Sequence, residues 1–282
     1  MSAVPKTRPT EVIESPGYCI YCGADDGPLT DEHIIPRGMN GHILLKGATC
    51  NTHQKLTSAI EGDIQAADKN GMFADTRLIL GMRSYKKRKD RPTEVKVNFL
   101  GRDGRRFRKN VPIKDAQAMH VIPVFVAPRL LSHPHPLPNS KNLEVNAIAN
   151  NLVGPGIERL LRRYDARSIE GSVKVPMGSF LRFLCKIAFG VHFVERGPFD
   201  RIESPALALL LGERQDFGNW IGCVPHEKEV PGSDWHRIEV ASLEAQSGDS
   251  CEAVFISLLN NLAPCTYIVV TRCPNYRSMV EG

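Results

Sequence analysis

Two pairs of metal-binding residues near the N-terminus constrain this chain more than any other feature. Cys19 and Cys22 are separated by two residues, and so are Cys50 and His53. Each pair can bind one ion from a single tight turn, and two such pairs supply the four ligands of a tetrahedral zinc site. A cluster of reduced, buried cysteines would not need this repeated spacing. We therefore predict a structural zinc bound by these four residues, with His42 as an alternative fourth ligand.

The length and composition are those of a globular protein. The chain has 282 residues, of which 42% are hydrophobic, so it can bury a sizeable core in one large domain or two ordinary ones. No apolar run approaches the roughly 20 residues that a membrane span needs, and the N-terminus has no signal-peptide pattern. We expect a soluble, cytoplasmic protein with no membrane partner. In that compartment the remaining cysteines are expected to be small buried hydrophobes, namely Cys185, Cys223, Cys251, Cys265 and Cys273.

The residues around the two pairs predict two short strands and a helix. Residues 30–35 are β-prone and end at Pro36, and Gly38, Asn40 and Gly41 indicate a turn. Residues 42–45 can then form the return strand of a hairpin. A helix is predicted from residue 51 to about residue 68, because apolar or small residues recur there at helical spacing. The expected product is a ββα unit around a metal site.

The rest of the chain predicts a mixed α+β protein. We divide it into a flexible arm (1–16), the zinc module (17–70), a basic segment with a β-hairpin (71–131), a Pro-rich linker (132–140) and an α+β domain of unknown function (141–282). Within the last segment, residues 178–194 predict a long helix that is apolar on most sides and therefore belongs to a core. Strands are expected around 237–243, 251–259 and 266–271.

Between the two metal-binding pairs lies an acidic residue beside a histidine. A histidine can take a proton from water near neutral pH, and His33 is a candidate for that role. The neighbouring Glu32 can hold a divalent cation that accepts charge from a scissile phosphate. Adjacent side chains of a strand point to opposite faces, so the two residues need a bend or bulge to act together.

Charge is distributed unevenly along the chain. Residues 77–109 contain thirteen Lys or Arg and three acids, a local charge of +10, whereas residues 200–282 have a charge of −6. A basic segment of this kind favours a phosphate backbone as its partner. The densest part holds six basic residues in nine positions, and we predict that they contact nucleic acid: Arg83, Lys86, Lys87, Arg88, Lys89 and Arg91.

Residues 17–65 resemble a known family. The combination of Cys-x2-Cys, Leu-Thr-Asp-Glu-His-Ile-Ile-Pro at 29–36 and Ala-Thr-Cys-Asn-Thr-His-Gln-Lys at 48–55 is similar to the HNH (His-Me finger) endonucleases. It looks closest to the zinc-stabilised branch with a Glu-His-Ile-Ile-Pro motif. The sequence departs from the pattern at three places. His53 stands where Cys is usual, Gln54 stands where Asn is commonest, and the usual middle Asn is missing.

The resemblance implies a ββα-metal fold and a role for each matching residue. His33 corresponds to the general base that activates water, and Glu32 to a ligand of one Mg²⁺ or Mn²⁺ ion. Gln54 corresponds to the second ligand of that ion, so the implied catalytic set is His33, Glu32 and Gln54. Glu61 is an alternative ligand two helical turns further on. Because the backbones of Gln54 and Glu61 would be roughly 10 Å apart, both are not expected to bind one ion.

These expectations combine into a function. The resemblance and the basic segment together predict a metal-dependent HNH endonuclease that hydrolyses DNA phosphodiesters, in the manner of a restriction or anti-phage effector. In that case the C-terminal domain would sense a protein or a ligand. The alternative is a zinc-containing nucleic-acid-binding protein whose HNH module has lost catalysis, and the departures at Gln54 and at the missing Asn favour it.

Overall fold

The structure is a computed structural model, and it describes residues 9–65, 71–80, 82, 92–133, 143, 145–153, 157–171, 173–225, 235–259 and 265–277. Within these residues the chain mixes small β-sheets with a few helices, so the α+β class predicted from the sequence is confirmed. Residues 1–8 of the predicted arm and residues 134–140 of the predicted linker lie outside the described residues.

The chain divides into two compact units, each assembled from segments that are distant in the sequence. The first unit comprises Met1–Glu61, Ile122–Ala149 and Met177–Gly282, and the second comprises Gly62–Val121 and Asn150–Pro176. These units differ from the consecutive segments into which the sequence was divided. In particular, the first unit contains residues 17–61 of the predicted zinc module together with the long apolar helix near residue 180, which was predicted to lie in a separate domain.

The N-terminal part of the first unit is a three-stranded sheet followed by a helix. The strands are β1 (Glu11–Ile13), β2 (Leu29–His33) and β3 (Ile43–Cys50), and the helix is α1 (Asn51–Gln65). β3 lies in the middle, parallel to β1 and antiparallel to β2. The hairpin and helix predicted from the sequence are therefore present. β1 was not predicted, because three residues carry no readable alternation.

The C-terminal part of the first unit is a four-stranded antiparallel sheet covered by helices. The strand order is β10 (His236–Glu244), β11 (Ser250–Leu258), β12 (Cys265–Arg272) and β9 (Ile221–Pro225). The long helix α4 (Met177–Arg196) packs against β10, β11 and β12. The side chains of both elements are apolar where they meet, so this layer forms the core of the unit.

Two shorter helices complete this unit, α5 (Pro205–Leu211) and α6 (Phe217–Trp220). The start of α5 is fixed by Ser204, whose hydroxyl accepts a hydrogen bond from the backbone N–H of Leu207 at 3.1 Å. Its end is fixed by Gly212, which adopts the left-handed conformation with φ +82°. α5 packs against α4 and β12 and so anchors one end of the layer.

The second unit is built on a three-stranded sheet with the order β5 (Arg106–Pro112), β4 (Glu94–Gly101) and β8 (Ala166–Glu170). Two helices belong to it, α2 (Ala74–Ile79) and α3 (Ile157–Arg163). Its core contains Val97, Phe99, Val111, Ala116, Leu160 and Ala166. The hairpin of β4 and β5 is the one predicted from the sequence. β6 (Ala118–Phe125) and β7 (Val145–Val153) form a separate two-stranded sheet at the sequence boundaries of the units.

Among the described residues, α4 is the one helix whose length and apolar composition would allow it to cross a membrane. However, 67% of its apolar window is buried inside the protein. Such burial is typical of the core helix of a soluble protein.

The cysteines require one correction. All five cysteines outside the zinc motif are buried, as expected. Cys251 and Cys273, however, form a disulfide that joins β11 to the residue after β12. The sequence analysis treated these two as isolated buried hydrophobes, because scattered spacing does not show which cysteines pair.

Candidate metal and catalytic site

The four predicted zinc ligands converge in the structure. The Sγ atoms of Cys19, Cys22 and Cys50 and a ring nitrogen of His53 all lie within 4.8 Å of one another. The Sγ atoms of Cys22 and Cys50 are 3.9 Å apart, and Nδ1 of His53 lies 3.2 Å from the Sγ of Cys50 and 3.7 Å from that of Cys19. Ligands of a tetrahedral zinc are about 3.6 to 3.8 Å apart, so the cluster can hold a metal ion such as zinc.

Local backbone structure places these ligands. Cys19 and Cys22 lie on a tight turn that closes where the N–H of Gly23 donates to the carbonyl of Cys19 at 2.7 Å. Gly23 has φ +78°, a conformation that favours glycine. The N–H of Ile20 donates to Ala48 of β3 at 2.8 Å and so fixes the turn against the sheet. Since β3 ends at Cys50 and α1 begins at Asn51, the second pair spans the strand–helix junction.

The thiols of this cluster differ in acidity. Burial raises the pKa of Cys19 to about 11. Burial also acts to raise the pKa of Cys50, but hydrogen bonds outweigh it and lower this pKa to about 6. The largest of these contributions is the hydrogen bond from the backbone of His53. Cys50 is therefore a thiolate at neutral pH, which is the form that binds zinc.

Tyr21 connects the cluster to helix α4. Its ring lies 5.7 Å from the imidazole of His53 and 5.8 Å from the ring of Phe189, measured between centroids. Its side chain is buried, and the hydroxyl has no hydrogen-bond partner among the described residues. The metal cluster is thus packed directly against a helix that begins more than a hundred residues later in the chain.

The Glu32 carboxylate points into the protein, whereas its neighbours on β2 do not. Glu32 is only 4% exposed, Asp31 is exposed and His33 is half-buried. The register of β2 against β3 shifts between Thr30 and Glu32, where Asp31 accepts a hydrogen bond from the N–H of Gly47 at 3.0 Å. This bulge fixes which side chain of the strand turns inward.

Both oxygens of Glu32 have partners. Oε2 accepts a hydrogen bond from the hydroxyl of Thr49 at 3.0 Å. Oε1 lies 2.7 Å from Nζ of Lys186, a residue of α4 whose side chain is fully buried. The carboxylate therefore forms an ion pair inside the protein.

Lys186 has three further oxygen partners. Its Nζ lies 2.7 Å from Oε1 of Glu61 and 3.2 Å from the carbonyl oxygen of Ile34, and it also donates to the carbonyl of His33. Burial alone would lower the pKa of Lys186, but the carboxylates of Glu32 and Glu61 raise it above its usual value. The side chain is consequently a charged ammonium at neutral pH.

His33 is the last residue of β2. Burial lowers the pKa of its imidazole below the usual value, and the charge of Lys186 lowers it further. The ring is therefore neutral at pH 7 and can accept a proton. Its half-buried position leaves part of the side chain accessible to solvent.

The other predicted residues have different environments. Gln54 is exposed on the first turn of α1, and its side chain makes no hydrogen bond to the described residues. Glu61 is the one that lies with Glu32, joined to it through Lys186. His42 is not among the converging metal-binding groups of the described residues. The predicted DNA-binding residues lie outside the described residues, and they are Arg83, Lys86, Lys87, Arg88, Lys89 and Arg91.

Lys186 was not predicted to belong to the site. The contact joins residues 153 positions apart, and no local spacing could indicate it. One signal was available, since Lys186 is a charged residue inside a long and largely apolar helix, between Cys185 and Ile187. A buried lysine requires counter-charges, and Glu32 and Glu61 provide them.

Comparison of the chain with protein-family models, with curated proteins and with solved structures finds no match. The resemblance to HNH endonucleases therefore rests on the motif residues alone.

Proposed function

We propose that the chain is an HNH endonuclease that hydrolyses DNA phosphodiester bonds, with His33 as the general base. The observation that carries the proposal is the position of His33, a neutral and partly accessible imidazole at the end of β2 in a ββα unit. The same unit contains the Cys₃His cluster, which the resemblance assigns to the zinc-stabilised HNH branch. An imidazole of lowered pKa can take a proton from a water that attacks phosphorus.

The metal-binding cluster has a structural role in this proposal. Cys19, Cys22, Cys50 and His53 would hold zinc with four protein ligands, which leaves no open position for a substrate. Zinc bound there links the turn before β2 to the start of α1. It thereby fixes the strand that carries His33.

The catalytic Mg²⁺ or Mn²⁺ implied by the resemblance fits the donor set poorly. Magnesium prefers carboxylate oxygens and retains several waters. Both oxygens of Glu32 already have protein partners, and Lys186 lies between Glu32 and Glu61. Gln54 is exposed on the first turn of α1. We therefore assign no step of the reaction to an ion held by these three residues.

The substrate class is proposed from charge. The segment 77–109 has a net charge of +10, and a polyanion such as DNA is the partner that it fits best. In the part that the structure describes, Arg108 and Lys109 are exposed on β5, and Arg106 is paired with Glu170 at 2.9 Å. We propose that this segment contacts the phosphate backbone without reading sequence.

The test is plasmid cleavage by the purified, zinc-loaded chain. We expect nicking of supercoiled DNA by the wild type and none by His33→Ala, with zinc content unchanged in both. His133→Ala is the matched control, since this exposed histidine lies far along the chain from the motif, and it should cleave as the wild type does. Equal cleavage by wild type and His33→Ala would show that His33 is not the base.

A second candidate is a zinc-containing DNA-binding protein without catalytic activity. The observation that favours it is the engagement of both Glu32 oxygens, which removes the metal ligand that the resemblance implies. This candidate predicts DNA binding that weakens steeply with salt, together with no cleavage in the presence of Mg²⁺ or Mn²⁺.

A further inference from the structure

The carboxylates of Glu32 and Glu61 and the backbone carbonyls of His33 and Ile34 form a cage of oxygen atoms. Carboxylate and carbonyl oxygens are the ligands that hard cations prefer. The centre of this cage holds the ammonium of Lys186, which contacts all four groups. The cage is formed by β2, α1 and the residues just after β2, and its cation comes from α4.

We propose that Lys186 is the resident cation of this cage, and that Glu32 and Glu61 bind it in place of a divalent metal ion. Both carboxylates of the cage already have the ammonium of Lys186 as a partner. Oε1 of each carboxylate lies 2.7 Å from Nζ, and Oε2 of Glu32 accepts from Thr49. An ion entering the cage would have to displace an ammonium that has no exposed surface.

Displacement of the ammonium by a metal ion is unfavourable because the ammonium would remain inside the protein. The side chain of Lys186 is fully buried in α4, and the neighbouring residues Cys185 and Ile187 are also buried. Without its carboxylates the charge would remain in an apolar environment, and beside a divalent ion it would be repelled as well. The close packing of Gly190 against Ile34 holds α4 in place one turn further on.

If the chain is a nuclease as proposed above, its cleavage of DNA does not use an ion held by Glu32. The occupancy of the cage itself does not depend on whether the chain cleaves DNA. The experiments below therefore measure the cage directly, on the zinc-loaded full-length protein.

The first experiment measures the reactivity of the lysine. The protein is labelled in its native state with trace acetic anhydride, and the modified lysines are quantified by mass spectrometry. Lys46 is the internal control, because its side chain is 49% exposed and pairs with an exposed Glu14. A buried amine reacts only when the structure opens, so Lys186 should be labelled at least about ten-fold more slowly than Lys46. Labelling of both at the same rate would overturn the proposal.

The second experiment measures Mn²⁺ binding by electron paramagnetic resonance. The wild type, Glu32→Gln and Glu61→Gln should bind Mn²⁺ equally, because neither carboxylate is a ligand in the wild type. A bound ion that is lost in Glu32→Gln or in Glu61→Gln would contradict the proposal.

The third experiment removes the lysine from the cage. Lys186→Ala leaves two carboxylates and two carbonyls without their cation, and it should gain one Mn²⁺ per chain that Lys186→Ala/Glu32→Gln does not bind. A folded Lys186→Ala protein that gains no Mn²⁺ would show that the cage is not a cation site. If this variant does not fold, the first two experiments decide.

The outcomes separate the inference from the proposed function. If Lys186 is protected and Mn²⁺ binding is independent of Glu32, but no DNA is cleaved, then only the proposed function fails. If DNA is cleaved and Mn²⁺ binding requires Glu32, then only the inference fails.

Discussion

The first unit contains two clusters of polar groups that gather around a positive charge in different ways. The Cys₃His cluster consists only of groups that donate electron pairs, and its ligand atoms lie within 4.8 Å of one another. The cluster of Glu32 and Glu61 includes its own cation, the ammonium of Lys186. The first can hold a metal ion from solution, whereas the second already contains its cation within the polypeptide. Two clusters of potential metal ligands can therefore lie in the same unit without both binding a metal ion.

The largest expected effect concerns the first cluster. We expect Cys50→Ser to reduce the zinc content from one ion per chain to none and to unfold the segment around it. The reason is that zinc binding by such sites contributes on the order of 10 kcal/mol, which is comparable to the stability of a whole domain. Elemental analysis and calorimetry measure both results. Cys185→Ala is the control, because this buried cysteine of α4 should leave the zinc in place; retention of zinc by Cys50→Ser would rule out the Cys₃His site.

The next effect concerns the second cluster. Lys186→Met should lower the free energy of unfolding by about 3 to 5 kcal/mol, because it leaves two carboxylates without their counter-charge inside the protein. Adding Glu61→Gln should recover part of this loss. Lys46→Met changes an exposed pair and should cost about 1 kcal/mol or less. Urea denaturation provides the comparison, and equal costs at the two lysines would mean that the buried ion pair is absent.

A buried histidine, for which the described residues provide no counter-charge, extends this comparison. His120 is 1% exposed, its Nε2 has no hydrogen-bond partner among the described residues, and burial lowers its pKa to about 4. A lowered histidine pKa stabilises the fold fully above the unfolded value of about 6.5, and this contribution is lost as the pH falls toward 4. The shift corresponds to about 3 kcal/mol. When the free energy of unfolding is plotted against pH, the values for the wild type and for His120→Asn should converge as the pH falls through this range. Two parallel plots would argue against a buried neutral His120.

The smallest expected effect is the coupling between the second cluster and His33. Burial and Lys186 hold the pKa of the His33 imidazole below its usual value, so a titration followed by NMR should give a midpoint under 6.5. Lys186→Met removes a positive charge and exposes the ring to two unbalanced carboxylates, so the midpoint should rise. Lys46→Met should leave it unchanged. A midpoint that is insensitive to Lys186 would mean that the ammonium does not act on His33.

The parts of the site that could be predicted are those encoded locally. Cys19, Cys22, Cys50 and His53 were identified from spacing alone, because a turn of two intervening residues places both ligands of a pair on one ion. The β2–β3 hairpin was readable from the turn residues between its strands, and α1 from its apolar stripe. The HNH function itself stays a prediction, since no measurement or match tests it.

The remainder depends on contacts that the local pattern does not encode. The environment of Glu32 is set by Lys186, and the two carboxylates and the lysine come from three elements that only the folded chain brings together. The disulfide between Cys251 and Cys273 is another long-range pairing. For the same reason, a truncation after about residue 130, which would isolate a domain if the segments were independent, would in fact remove α4 and the cation of the cage.

The position of Lys186 in the chain also has a consequence during synthesis. It lies 153 residues after His33, so at roughly 5 to 20 residues per second it leaves the ribosome about 8 to 30 s later. The four zinc ligands are all present in the first 53 residues and can bind their ion during that interval. The carboxylates of Glu32 and Glu61 must remain hydrated until α4 arrives. A nascent chain would therefore contain all four residues of the Cys₃His cluster well before Lys186 is available, and the two carboxylates would be paired with Lys186 only after α4 and the strands against which it packs have been synthesised.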